Sequence, residues 1–355
     1  MTITKYEIDM LNVGAADAFL IHFFDDDNNY EFVVLIDGGN YSDGVEIAKF
    51  IKTHYKQNYI DLAICTHCDK DHFGGLIYLL EQQRDKGKDN MNIQEIWLND
   101  PADHVELGQV KWIRKESTLV VKARSVYDNK GKNLIDVLVN VIRKDDGIKW
   151  LEPFSDADSF HGEPYISSKW NGTIEVLGPS VEYYESLVPD FRNDLKRTNY
   201  ETDESSEQES EYKDGKVHNQ TIEDAKDDPS SHNQSSVIIK FTPSNGKTYL
   251  FTGDAGREAM THIMQRDVNK IKNINWLKVP HHGSKYNMSN DIINHLNPKV
   301  AYISTEKYGH YMSKAVVNVL NKLGCEVYTT NINGSMCHHH NTKIHEGYST
   351  ATPVK

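Results

Sequence analysis

The ten residues Thr66-His67-Cys68-Asp69-Lys70-Asp71-His72-Phe73-Gly74-Gly75 decide how this chain is read. An apolar run from Ile60 to Cys65 precedes them and is short enough to be a buried strand. Helical spacing over Leu76 to Glu81 follows them. The segment is therefore a loop at the C-terminal end of a strand, a favoured place for a site in α/β architecture. Four side chains able to ligate a metal (His67, Asp69, Asp71 and His72) fall within six residues. Converging polar groups at that density repel one another or go unsatisfied unless a cation lies between them. The Gly74-Gly75 pair lets the backbone turn tightly into the helix. Metal binding is the expectation, against a plain polar loop.

On the N-terminal side, Tyr6 to Val13, Phe19 to Phe24 and Phe32 to Ile36 are apolar or alternating runs that read as strands, and Val45 to Tyr55 has helical spacing. On the C-terminal side, Ile93 to Leu98 reads as a strand, Leu134 to Ile142 as a helix and Thr173 to Leu177 as a strand. Ser236 to Phe241 and Thr248 to Thr252 flank a Pro-Ser-Asn-Gly turn and predict a hairpin. Helices are predicted at Gly256–Gln265, Asp291–His295 and Lys314–Leu323, with strands at Trp276–Val279, Val300–Ser304 and Glu326–Thr330. Gly334 to His338 closes the series as an edge strand. Two β-rich halves, each trailed by helices, imply two packed sheets with helices outside.

At 355 residues the length allows one large domain or two ordinary ones. The hydrophobic share of 38% suffices for a sizeable core if part of the chain stays out of it. Net charge is −13, a poor basis for gripping duplex DNA. The charge is uneven, however. Residues 200–230 carry eleven Asp and Glu against three Lys, so the rest of the chain is near −5 and a nucleic-acid groove elsewhere is not excluded. The polar stretches at about 83–170 and 182–231 read as insertions in one domain spanning 1–355, the second flexible on composition. Four Cys in so long a chain argue against a disulfide scaffold. Without a signal-peptide pattern or an apolar stretch of membrane length, the expectation is a cytoplasmic protein with no membrane contact.

The loop resembles the signature of the metallo-β-lactamase fold superfamily, His-x-His-x-Asp-His, with Asp69 where the second His would stand. That variant is similar to the hydrolase domain of ComEC-type competence proteins and their free-standing relatives. Leu11-Asn-Val-Gly-Ala-Ala-Asp-Ala18 resembles that group's opening motif, with Asn12 and Ala16 in place of its usual Asp and Gly. Leu35-Ile-Asp-Gly-Gly39, Asn233-Gln-Ser-Ser-Val237, Leu250-Phe-Thr-Gly-Asp254, Leu277-Lys-Val-Pro-His-His-Gly-Ser284 and Tyr308-Gly-His310 follow in the family's order. The resemblance runs from about Tyr6 to Met336, apart from the two insertions. It implies an α/β (α+β) fold, the four-layer αββα sandwich. The channel part of full competence proteins is lacking, so a role in DNA uptake does not transfer.

The resemblance implies two divalent metal ions, with zinc the superfamily default. A carboxylate at position 69 hardens the site and makes manganese a competitor. In such a dinuclear hydrolase one carboxylate and a hydroxide are shared by the cations. Asp254, at the end of an apolar strand, is the candidate bridge. His67 and Asp69 are assigned to the first metal, with His232 or Asn233 as a possible additional ligand. Asp71 and His72 are assigned to the second, completed by His281, His282 or His310. In extended chain His281 and His282 should point differently, so that one ligates while the other moves a proton. Their roles stay open; Asp71, His282 and His310 are the candidates for direct chemistry, and His281 and His310 for ligation. Asp37 is placed behind the site, orienting a ligand His through its ring N–H.

The functional expectation is a metal-dependent hydrolase, a phosphodiesterase or nuclease acting on nucleic acid or nucleotides. Ester, lactone or thioester hydrolysis on the same fold is the alternative, and a non-catalytic sensor the third reading. The tract Cys337-His-His-His-Asn341 lies past the last shared motif and reads as an edge strand or an adventitious metal binder. Cys65 and Cys68 resemble half a zinc knuckle without its other half. No Gly-Lys-Ser/Thr follows the glycines of the N-terminal region, so they do not form a phosphate loop.

Overall fold

A computed structural model describes residues 5–24, 31–101, 104, 147–156, 173–192, 221–306 and 311–354. The first half supplies strands β1 (Lys5–Met10), β2 (Phe19–Phe24), β3 (Glu31–Ile36), β4 (Tyr59–Ile64), β5 (Asn92–Trp97) and β6 (Lys149–Leu151). The second supplies β7 (Thr173–Gly178), β8 (Ile238–Thr242), β9 (Tyr249–Phe251), β10 (Trp276–Lys278), β11 (Val300–Ile303), β12 (Glu326–Thr329) and β13 (Met336–His340). One sheet runs β13-β1-β2-β3-β4-β5-β6 and the other β12-β11-β10-β9-β8-β7. The last strand therefore crosses back to pair antiparallel with β1, closing the first sheet's edge.

Alternation along the strands creates the layers. Tyr6, Ile8 and Met10 of β1 join Phe241, Tyr249 and Trp276 in the core between the sheets. Leu20, Val33 and Leu35 face the opposite way and pack under helix α1 (Asp43–Phe50), which continues into one π-helical turn (Ile51–Tyr55), and helix α2 (Lys70–Asp85). On the far side, Leu250, Leu277 and Ala301 pack against Met260, Ile293 and Leu320 of the helices Arg257–Arg266, Asn290–Leu296 and Lys314–Lys322. The result is the expected helix-sheet-sheet-helix sandwich.

Parallel pairing dominates the centre of each sheet, β3-β4-β5 in the first and β9-β10-β11 in the second. Their C-terminal ends share one rim. Glycines hold the first loop close there. A Cβ on Gly75 would stand 2.0 Å from the Gly38 carbonyl oxygen, and one on Gly38 would stand 2.6 Å from the Leu76 nitrogen. The backbone contact locks α2 to the turn after β3, and Gly75 N–H donates to the Gly39 carbonyl at 3.2 Å. The glycine pairs serve helix packing, and only Gly39 of these four adopts positive φ.

The two ends of the 182–231 stretch are ordered and packed on the fold. A helix spans Val181–Leu187 and buries Tyr183 and Tyr184, and Ser231–Gln234 is a short helix with all four residues buried. Ile222 lies in the outer core. Likewise β5, within the 83–170 stretch, is an interior strand of the first sheet. The helix expected at Leu134–Ile142 lies outside the described residues, as do residues 193–220.

Candidate metal centre

The first-half loop contributes from the end of β4 and the start of α2. Asp69 is the residue preceding α2, a position where an Asp normally accepts from the helix's free N–H groups. Its carboxylate makes no such cap. Instead Oδ2 lies 3.6 Å from His67 Nε2 and Oδ1 lies 3.4 Å from His232 Nδ1. Burial alone would raise the Asp69 pKa, but the neighbouring His232 and His67 imidazoles hold it well below the usual carboxylate range.

Asp37 follows β3 with φ +59. It accepts from the Thr66 backbone N–H and hydroxyl, both at 2.7 Å, and lies 2.8 Å from His72 Nδ1. That contact fixes the His72 ring and aims Nε2 forward, the orienting role expected for a carboxylate behind a ligand. His72 Nε2 then lies 3.3 Å from Asp254 Oδ2 and 3.9 Å from Asp71 Oδ2. Burial disfavours a charged imidazole here, yet Asp254, Asp37 and Asp71 together raise the His72 pKa well above its ordinary value.

The second sheet delivers its residues one strand at a time. Asp254 follows β9 and divides its oxygens. Oδ1 accepts from the Lys278 ammonium at 3.2 Å, while Oδ2 faces His72, His282 at 3.8 Å and His281 at 4.0 Å. Burial would raise the Asp254 pKa, but His72, Lys278 and the two other histidines hold it well below the usual range. Lys278 is almost fully buried and also pairs with Asp17, whose other oxygen accepts from the Ser304 hydroxyl.

His281 and His282 are not extended: both have positive φ, +45 and +52, in a tight turn after Pro280. Backbone held in that region by β-carbon residues is strained and concentrates at functional sites. The turn still sends the two rings apart. His282 is buried, with Nδ1 2.9 Å from Ser304 Oγ and Nε2 3.6 Å from Asp71 Oδ2. His281 stands at the mouth, stacked near Tyr311, with Nδ1 3.0 Å from Asn287 Oδ1 and 3.3 Å from Asp228 Oδ2. His282 thus lies nearer the Asp71 and Asp254 carboxylates, and His281 nearer Asp228 and Asn287.

Two overlapping ligand groups result. His67, His72 and Asp254 present ligand atoms within 4.8 Å of one another, and so do Asp71, His72 and His282. The Nε2 atoms of His67, His72 and His282 are buried without a hydrogen-bond partner. Buried imidazole nitrogens rarely go unpaired unless something else takes the lone pair. Together with three carboxylates, this donor set suits divalent cations. Asn233 belongs to the surroundings, since its amide donates to Asp228 at 2.7 Å. His310 lies outside the described residues.

Asp17, Lys278, Asp228, Asn287 and Ser304 were not among the expected site residues. Asp17 and Lys278 do stand inside two of the quoted motifs, and a Lys within a short apolar strand was the available signal.

The paired sheets flanked by helices, with a His/Asp-lined rim, have the architecture of the metallo-β-lactamase fold, and comparison with known proteins gives matches of that type. The model of the family described as Metallo-beta-lactamase superfamily matches residues 12–142. ComE operon protein 3 of Bacillus subtilis (strain 168) is 30% identical over 119 residues, 33% of this chain and 15% of that protein's length. The chain is thus similar to the metallo-β-lactamase superfamily over residues 12–142, and it spans about 15% of the length of the ComE operon protein 3 that it matches. Among solved structures, the metallo-β-lactamase fold protein YhfI from Bacillus subtilis aligns with a TM-score of 0.44 at 10% identity, covering 94% of this chain and 99% of YhfI. A long form RNase Z from yeast aligns with a TM-score of 0.40 at 12% identity, covering 85% of this chain and 37% of that one. Among the described residues, no helix is long and apolar enough to cross a membrane.

Proposed function

We propose that this protein is a phosphodiesterase that works with two divalent cations. The observation that carries the reading is the set of three buried, unpaired Nε2 atoms on His67, His72 and His282, facing the carboxylates of Asp71 and Asp254. His67, Asp69 and His232 would hold one cation, and Asp71, His72 and His282 the other, with Asp254 between the groups. When bound, such ions supply Lewis acidity and an activated water.

The chain's own residues set up the rest. Asp37 and Ser304 fix the rings of His72 and His282 through their Nδ1 atoms, so that Nε2 stays directed inward. Lys278 balances Asp17 and Asp254 and keeps one Asp254 oxygen free for the centre. His281, braced by Asn287 and Asp228, stands at the mouth in a position to pass a proton to a departing oxygen. Support for phosphodiesters as the substrate class comes from the Asp69-bearing loop and from the relationship with ComE operon protein 3.

The test is hydrolysis of bis-p-nitrophenyl phosphate against p-nitrophenyl acetate by zinc- or manganese-loaded protein. A clear preference for the phosphodiester supports the reading. Preference for the ester assigns the site to acyl substrates, and no hydrolysis of either favours the sensor alternative.

A further inference from the structure

A second group of metal-ligating side chains lies away from this rim, on the outer face of the first sheet. In β1, Tyr6, Ile8 and Met10 enter the inter-sheet core, so Glu7 and Asp9 point outward, toward Tyr55 and the residues 341–348 that lie beside α1. Strand β13 pairs with β1 so that Cys337 stands directly opposite Asp9. Side chains directly across an antiparallel pair share a face. The segment after β13 brings His345 over the same spot, packed against Phe50 and His54. The sequence tract around Cys337 thus splits: His338 turns inward toward Tyr249 and Tyr302, and Cys337 turns out to the carboxylates.

The distances suit a cation. Glu7, Cys337 and His345 present ligand atoms within 4.8 Å of one another. His345 Nε2 lies 3.1 Å from Asp9 Oδ1 and 3.7 Å from Glu7 Oε1. Tetrahedral zinc with ordinary bond lengths places its oxygen and nitrogen ligands about 3.4 Å apart. Asp9 is fully buried, and its two oxygens are treated unequally. Oδ2 accepts from the Tyr55 hydroxyl at 2.6 Å and is hydrogen-bonded to His345 Nε2 at 3.2 Å, whereas Oδ1 has no hydrogen-bond partner. Glu7 Oε1 also lies 3.1 Å from His22 Nδ1, which anchors the carboxylate on the sheet. Burial and the Asp9 and Glu7 carboxylates push the Cys337 thiol up.

We propose that Cys337, His345, Glu7 and Asp9 form a separate structural metal site for a borderline-soft divalent cation, zinc by its donor set, which pins residues 341–348 to the first sheet. The ligands are closed off from the catalytic rim, so the site contributes stability and does not take part in hydrolysis.

The experiment uses full-length protein produced in zinc-depleted, cobalt-supplemented medium. The candidate ligands of the rim include no sulfur, so a thiolate-to-cobalt charge-transfer band reports this outer site. The band is expected in the wild-type protein, lost in Cys337→Ser and retained in Cys68→Ser. Cys337→Ser should also lose one equivalent of bound metal while keeping its rate on bis-p-nitrophenyl phosphate. If Cys337→Ser does not fold, His345→Ala serves instead and should weaken cobalt binding and shift the band. Absence of the band from the wild-type protein, its survival in Cys337→Ser, or its insensitivity to His345→Ala overturns the proposal.

Discussion

The two sheets reach the same rim by different means. The first half delivers His67, Asp69, Asp71 and His72 from one loop, braced by backbone contact between Gly38 and Gly75. The second half delivers Asp254 after β9 and His281 and His282 after β10, with Lys278 as a buried counter-charge and a strained turn to aim the rings. A contiguous loop fixes its ligands by local geometry. Dispersed ligands need charge balance and backbone strain supplied from elsewhere. The first half should therefore fail in metal affinity when altered, and the second in both stability and turnover.

The largest expected effect is on the residue that joins the halves. Asp254→Asn keeps the size and loses the charge facing His72 and His282. We expect kcat on bis-p-nitrophenyl phosphate to fall by several orders of magnitude while the circular dichroism spectrum stays native. Wild-type turnover in this variant would remove the bridge from the account.

Next comes the counter-charge peculiar to the second half. Lys278→Met leaves Asp17 and Asp254 buried without their ammonium. Breaking such a pair typically costs about 3–5 kcal/mol. Urea unfolding of metal-stripped protein should register that loss, and loading with zinc should recover part of it, because the cation supplies the missing charge. Equal losses with and without metal would show that Lys278 acts only as packing.

These two residues also show what the sequence disclosed. The loop from His67 to His72 stood out because its four ligand-capable side chains are adjacent in the chain, and Asp37 because it ends a recognisable strand. The sandwich followed from strand and helix periodicity in each half, confirmed by the sheet order. Lys278 and Asp17 were not legible as partners, since their pairing spans the two sheets and depends on which face of β10 looks inward. The turn at His281 and His282 was missed for a similar reason: extended alternation was assumed, and the backbone is left-handed. The structured edges of the acidic stretch were masked by composition, although Tyr183, Tyr184 and Ile222 are the apolar residues that dock them.

A smaller effect sharpens the first half. Asp37→Asn keeps a hydrogen-bond acceptor near His72 but removes the charge that fixes its ring. Loss of such a partner costs about 10–100-fold in metal affinity. Competition with a chromogenic chelator reads this directly, and an unchanged affinity would deny Asp37 its orienting role.

The smallest effect belongs to an ion-pair cluster remote from the rim. Glu175 lies 2.7 Å from the Lys240 ammonium and also pairs with Lys270. Burial would raise its pKa, but the two lysines lower it below 4.5. Its contribution is therefore present above the unfolded-state value and is lost as pH falls through the folded-state value. Lys240→Gln, with Lys270 still in place, should cost a modest amount of stability at neutral pH, and the difference from wild type should shrink as acid protonates Glu175. A difference that grows on acidification would reverse the sign of this linkage.

The proposed centre has the two halves holding a pair of cations through Asp254. Metal content per chain, measured by elemental analysis after full reconstitution in a Cys337→Ser background, tests it most directly, because the outer site is then silent. About two divalent ions per chain are expected, falling to one or fewer when Asp254→Asn is added. A ceiling of one ion in the Cys337→Ser protein, or two retained after Asp254→Asn, would contradict it.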